Sequence, residues 1–218
     1  MTAQKDNSKL LKTRKPGRPR GSKPSGDNRE HLLDIALRLF SQQGIGHTSL
    51  NAIAREAGVT PAMLHYYFNS REQLLDVVIE ERFLPLRSEI TAIFAAHPED
   101  PVTALTEMVK TLAELAARYE WFAPLWMQEV IGEMPVLRQH LNARFGEDRY
   151  QQTLASVKRW QQEGKLNPHL TAELLFTSLL SLVLVPFSRM RNDERLASLT
   201  TEIIISNALA LMRQGINN

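Results

Sequence analysis

Beyond residue 26, hydrophobic residues recur every three or four positions, and no stretch keeps the period of two that a half-buried strand needs, so the pattern predicts an all-α protein. Leu32, Ile35, Ala36, Leu39 and Phe40 form one face of a first helix, which Asp27 and Glu30 can open as a capping box and Gln43-Gly44 can close. Thr48 or Ser49 then caps a short second helix with Leu50, Ile53, Ala54 and Ala57 inward, ended by Gly58. Thr60 caps a third helix of about two turns, with Pro61 at its first position, where no amide partner is needed, and Leu64 and Phe68 toward the core. A fourth opens at Asn69 or Ser70 and runs to Phe83, where Pro85 removes a backbone hydrogen bond and is expected to kink or break it. Further helices are predicted over 86–96, 102–119, 124–131, 135–164, 171–190 and 194–214, roughly nine or ten in all.

The second and third helices, joined across Gly58-Val59, make a helix-turn-helix. Pro61, Ala62, Met63, His65, Tyr66 and Tyr67 are a poor set for plain exposure to water but suit a DNA groove. Pro61 and Ala62 permit close approach and contact with a thymine methyl, His65 and Tyr66 reach base edges, and Tyr67 and Arg71 can donate to phosphate. The plainer alternative packs Tyr66 and Tyr67 on the first helix and leaves His65 solvated. The elements Thr48-Ser49-Leu50, Ile53-Ala54, Ala57-Gly58-Val59, Leu64-His65-Tyr66-Tyr67-Phe68 and Ser70-Arg71-Glu72-Gln73-Leu74 follow in order. This stretch, about 47 residues from Arg29 to Leu75, resembles the DNA-binding domain of the tetracycline-repressor (TetR) family. The resemblance implies that Thr48, Tyr67 and Arg71 anchor the phosphate backbone while Thr60, Pro61, Ala62, Met63, His65 and Tyr66 face the major groove. Three positions depart from it: Pro61 replaces a residue often polar or basic, Met63 replaces the usual Thr, and His65 replaces a common Tyr. Base preference therefore does not carry over, and Met63 stands open between core and contact.

A net charge of +2 hides a gradient, because residues 1–30 alone carry nine Lys/Arg against three Asp/Glu. A basic, aromatic-free arm suits a polyanion partner, although it could also serve only as a solubilising tail. Within it, Lys15-Pro16-Gly17-Arg18-Pro19-Arg20-Gly21 resembles an AT-hook core, with Arg18 and Arg20 suited to a narrow A·T-rich minor groove. The expected organisation is an arm over 1–26, a DNA-binding domain over 27–75 and an effector-binding and dimerisation domain over 76–218.

In the larger C-terminal part, the segment from Leu174 to Ser188 is apolar almost all round, and Leu199, Ile203, Ile204, Ile205, Ala208, Leu209, Leu211 and Met212 form a second broad stripe. Two copies packed as an intersubunit four-helix bundle would cover both, as the resemblance also implies; the alternative is a helix pair buried within one subunit. A homodimer calls for a palindromic double-stranded operator. The uncharged stretch of 15 residues is short of the roughly 18 that span a bilayer, so a core helix is expected and no membrane partner.

Trp121, Trp126, Met127, Met134 and Phe176 are candidates to line an apolar effector cavity, with Gln128, Glu129, Glu133, His140 and Arg144 to orient a small molecule; for each of the apolar residues, plain core is the alternative. The chain has no cysteine, which excludes disulfides and thiolate chemistry. Neither His-Glu-x-x-His, nor Gly-x-Ser-x-Gly, nor a phosphate-binding Gly-rich loop occurs, so neither an enzyme nor a cofactor is expected. The expectation is a cytoplasmic, operator-binding homodimeric repressor released by a small molecule. Its rivals are a DNA-bound adaptor docking a protein on its C-terminal part, and a small helical enzyme with metal on Glu129, Glu133 and His140.

Overall fold

In a computed structural model of the chain, described over residues 26–131, 136–145, 148–190 and 193–216, the helical periodicity becomes eleven α-helices with no strand among the described residues. The N-terminal helices are α1 (Gly26–Gln43), α2 (Leu50–Glu56), α3 (Pro61–Phe68) and α4 (Arg71–Val78). The helical body comprises α5 (Leu84–Ala96), α6 (Pro101–Arg118), α7 (Phe122–Ile131), α8 (Val136–Phe145), α9 (Asp148–Gln162), α10 (Ala172–Arg189) and α11 (Thr201–Ile216).

The inward positions foreseen for the first three helices are buried: Leu32, Ala36, Phe40, Ile53, Leu64 and Phe68 are each at most 1% exposed. Leu50 and Ala57 are half-buried. Helix α1 already includes Gly26, so Asp27 lies inside it rather than capping it, and Glu30 turns to Arg29 and Arg82 instead. Gly44, at φ +84°, stops the helix with its amide on the Phe40 carbonyl, as only a residue without a side-chain penalty does readily.

Pro85 does not break the rod. Between α4 and α5 the backbone widens into a π turn, Ile79–Phe83, in which the Leu84 amide reaches the Ile79 carbonyl. The wider turn accommodates the missing proline amide, and Arg82 Nη1 lies 3.4 Å from the Glu81 carbonyl that an ordinary helix would pair with residue 85. Two other expectations also shift. The single helix foreseen over 135–164 is two, α8 and α9, on either side of residues 146–147. The segment foreseen over 194–214 begins instead as a 3₁₀ turn, Glu194–Leu196, because Asp193 accepts the Arg195 amide and closes a tight turn before α11.

Helix α6 is the centre of the body, packed on α5, α10 and α11, with Leu105, Met108, Val109, Leu112 and Ala116 buried. Helix α10 runs 18 residues with mean hydropathy 1.4, so by length and composition it exceeds the 15-residue stretch and could cross a bilayer. Leu175, Leu179, Val183 and Leu184 are nevertheless buried, and the helix packs on α6, α7, α9 and α11. Its far face is less covered: Leu174 is 58% exposed, alongside Ile203 at 47% and Leu211 at 54% on α11. Helix α7 packs on both α10 and α1, making it the seam between the N-terminal helices and the body.

Candidate nucleic-acid interface

Three short helices present the candidate interface, and each starts on a hydroxyl. Ser49 accepts from the Ala52 amide at 3.1 Å, Thr60 from Met63 at 3.2 Å and Ser70 from Gln73 at 3.2 Å. Pro61 occupies the first turn of α3 as expected. Gly58, at φ +65°, makes the turn between α2 and α3, with the Val59 amide returning to the Ala54 carbonyl. Leu64 and Phe68 then fix α3 from below, which leaves Pro61, Ala62, His65 and Tyr66 exposed on one surface. Tyr66 is 73% exposed, with its ring 5.4 Å from that of Tyr67 in an edge-on contact. Tyr67 and Met63 are half-buried, so Met63 sits at the margin of the core rather than fully in either role.

Two of the foreseen phosphate anchors are placed differently from their neighbours. Thr48 is 1% exposed and its hydroxyl donates to the Gly44 carbonyl at 2.8 Å. In the chain without DNA, that hydroxyl serves the α1–α2 loop. Arg71 is half-buried, and its guanidinium donates to the Ile45 carbonyl of the same loop. The two residues thus converge on residues 44–48. No local pattern announces this convergence, since Arg71 and Ile45 are 26 positions apart. Arg18 and Arg20 lie outside the described residues.

The interface is tied to the body by polar bridges. Arg29 donates to both carboxylate oxygens of Glu81 on the π turn, at 2.8 and 2.5 Å, while its guanidinium carbon stands 5.8 Å from the Phe68 ring centroid. Arg82 reaches Glu30 at 2.6 Å and Asp34 at 3.4 Å on α1. Hydrogen bonding to Arg29 holds the Glu81 carboxyl below its ordinary range, and the same contact raises Arg29. Glu80, one residue earlier, pairs with Arg144 of α8.

A family profile described as bacterial regulatory proteins, tetR family, matches residues 32–78. The regulator RutR of Escherichia coli O157:H7 is 30% identical over 147 residues, 66% of this chain and 67% of its own. The chain belongs to the TetR family. AcrR of Shigella flexneri is 36% identical over 121 residues, covering 52% of this chain and 55% of that protein, and BetI of Rhizobium meliloti is 39% identical over 98 residues, covering 44% and 45%. The chain therefore spans about half the length of these two curated relatives. Among solved structures, the ketosteroid regulator KstR2 of Mycobacterium tuberculosis matches with a TM-score of 0.67 at 20% identity, over 91% of this chain and all of that one. A complex of SmeT with triclosan matches with a TM-score of 0.60 at 19% identity, over 88% and 92%. These two likenesses establish the fold. The relatives are transcriptional regulators rather than enzymes.

In this TetR-family chain the effector candidates fall into two aromatic groups, with no ring contact between them among the described residues. Trp121 meets Phe83 at 5.1 Å and Phe122 at 5.9 Å, and Phe122 meets Trp126 at 6.4 Å. Phe176 meets Phe94 at 5.9 Å, which in turn stacks on Trp160 at 6.4 Å. Trp121, Trp126, Met127 and Phe176 are all half-buried. The polar candidates are largely committed elsewhere. Gln128 donates to the Ser41 carbonyl of α1 at 2.8 Å, and Arg144 is exposed on Glu80. Glu129, 5% exposed, accepts from the Leu137 amide at 2.7 Å and caps the start of α8, while burial pushes its carboxyl above the ordinary range. Half-buried His140 donates from Nδ1 to the Val136 carbonyl at 3.1 Å. Met134 and Glu133 lie outside the described residues, and among the described residues no acidic or histidine cluster has the form of a metal site.

Proposed function

We propose that this chain is a transcriptional repressor that binds a palindromic operator as a homodimer and leaves it when a small molecule occupies the helical body. The observation that carries this reading is α3: two turns, capped by Thr60, seated on Leu64 and Phe68, with Pro61, Ala62, His65 and Tyr66 turned outward. A surface of that composition fits the major groove, with Thr60, Met63, Tyr67 and Arg71 at its rim. The exposed Leu174, Ile203 and Leu211 on α10 and α11 support pairing of two copies through these helices. The proposed division runs from a basic arm over 1–26, with Arg18 and Arg20 in the minor groove beside each half-site, through a DNA-binding unit over 27–75 to an effector and dimerisation unit over 76–218. Acting on DNA, the protein would work in the cytoplasm.

KstR2 is called a ketosteroid transcriptional regulator and SmeT is solved in complex with triclosan, and both compounds are ring-bearing and largely apolar. For this chain, Trp121, Trp126, Met127 and Phe176 offer apolar surface of that kind. A ligand that prefers spread recognition helices weakens DNA binding by the same factor that DNA weakens ligand binding. We assign the transmission to the π turn and Pro85, since Glu80 faces α8 while Glu81 and Arg82 face α1.

Selection of bound sequences from random duplexes tests the reading: enrichment of two inverted half-sites about one helical turn apart is expected. No site preference, even in dilute buffer, would overturn it. Deleting residues 1–26 should flatten the salt dependence of binding and relax A·T preference beside the half-sites.

A further inference from the structure

On the outward face of α3, one side chain has its hydrogen-bonding role set by the protein before any DNA arrives. His65 Nδ1 lies 2.9 Å from the backbone carbonyl oxygen of Asn69. A carbonyl has no proton to give, so Nδ1 is the donor. The direction is unusual, because a helical side chain ordinarily reaches back to the carbonyl four residues earlier, as His140 does to Val136. Here the carbonyl four residues later is in reach because Asn69, which ends α3, sits at φ 49° and turns its peptide back over the last turn. Asn69 is the one residue other than glycine with positive φ among the described residues, and with ψ −52° it turns the chain more sharply than a left-handed helical cap does.

A neutral imidazole that carries its proton on Nδ1 leaves a lone pair on Nε2, which then only accepts. Among the described residues, Nδ1 alone of the two ring nitrogens has a partner, and the ring is exposed beside Pro61, Ala62 and Tyr66. In the major groove the hydrogen-bond donors are the exocyclic amino groups, N6 of adenine and N4 of cytosine, whereas N7 and O6 of guanine and O4 of thymine only accept. Phosphate oxygens accept as well, so they too would meet Nε2 lone pair to lone pair. We infer that His65 is a specificity-determining residue that accepts a hydrogen bond at Nε2 from adenine or cytosine on the strand it contacts, and that Asn69 is the positioning residue that fixes this polarity. The inference rests on the DNA-binding reading above and adds which base edge one side chain reads.

The experiment has two arms, both on the full chain. In the first, ¹⁵N-histidine NMR of the DNA-free protein at about pH 8, where imidazoles are neutral, reports the tautomer, with the His65 signal assigned by its loss in His65→Gln. A protonated Nδ1 with bare Nε2 is expected; a proton on Nε2 overturns the inference. In the second, bound-sequence selection is compared among wild type, His65→Phe, His65→Arg, Asn69→Ala and Asn69→Gly. Wild type should prefer one base pair at one position in each half-site, and replacing its adenine by purine or its cytosine by 2-pyrimidinone, which lack the exocyclic amino group, should weaken wild-type binding about five- to tenfold while leaving His65→Phe unaffected. His65→Phe should lose that preference and bind the selected site about five- to tenfold more weakly, with every other position unchanged. His65→Arg should move the same position to G, where a guanidinium can donate to O6 and N7. Asn69→Ala, which disfavours positive φ, should blur that position alone, and Asn69→Gly should keep it. Wild-type binding that is indifferent to removal of that amino group, or no position changed by His65→Phe, overturns the inference while the operator reading stands. Absence of any selected sequence in wild type overturns the operator reading and this inference with it, and the NMR arm separates that outcome from a wrong tautomer.

Discussion

The N-terminal helices and the helical body hold their elements in different ways. Helices α2, α3 and α4 are seven or eight residues long, too short to persist alone, and each opens on a serine or threonine hydroxyl that accepts an amide of its first turn. Helix α10, at 18 residues, has no side-chain cap at Thr171 and is held by the burial of Leu175, Leu179, Val183 and Leu184. A cap contributes about 1 kcal/mol, a large share of what keeps a two-turn helix in place and a small share for a long helix with a broad apolar face. Short helices must therefore carry their instructions locally, and long ones draw them from distant neighbours.

Substitutions can break or sharpen this contrast. The largest effect is expected at Phe68, 1% exposed beneath the recognition surface: Phe68→Ala should cost about 3–5 kcal/mol by urea denaturation, and half-buried Phe176→Ala clearly less. Equal losses would mean the two regions are packed alike.

Next comes Glu129, whose carboxylate serves the start of α8. Glu129→Ala should cost about 1–3 kcal/mol by leaving the Leu137 amide without its acceptor, while Glu129→Gln keeps an acceptor and should stay near wild type. Burial raises this carboxyl, so the folded chain holds its proton more tightly than the unfolded one. Its contribution is full below the ordinary carboxylate range and is lost as pH rises through the raised value. Glu129→Gln should remove that decline from a stability-against-pH curve.

A smaller effect is expected at the caps: Thr60→Ala should cost about 1 kcal/mol and Thr171→Ala less than about 0.5, measured by thermal unfolding. The smallest belongs to the half-exposed pair Arg29–Glu81, where Glu81→Gln should cost less than about 1 kcal/mol. The sign of its pH dependence is opposite to that of Glu129. Glu81 is lowered by Arg29, so its contribution is present above the ordinary carboxylate range and disappears as pH falls through the lowered value.

The same contrast explains what the sequence revealed. Ser49, Thr60, Gly58 and the inward Leu64 and Phe68 were legible because a cap, a turn or a stripe is written within four residues of where it acts. The partner of Arg71 was not, nor was that of Gln128, 87 positions from Ser41, nor that of Arg144, 64 from Glu80. These side chains looked like free donors for phosphate or ligand, since no local pattern announces a contact made by folding. Thr48 shows the same limit at short range: its spacing allowed a cap or an anchor, and neither pattern announced that its buried hydroxyl donates to Gly44. Pro85 carried a true signal of a lost amide, but a neighbouring turn can widen instead of bending.

That widened turn also sets a rotational phase. Each residue advances an α-helix by about 100°, so Ile79–Phe83 fix the azimuth at which α5 leaves α4. A π turn takes about one residue more than an α turn for nearly the same rotation, so excising one residue there would let the spiral close up normally and keep Leu86 on its buried side. Ile79–Phe83 should therefore tolerate the loss of one residue better than the middle of α6, where no wide turn absorbs it and every later side chain would swing by about 100°.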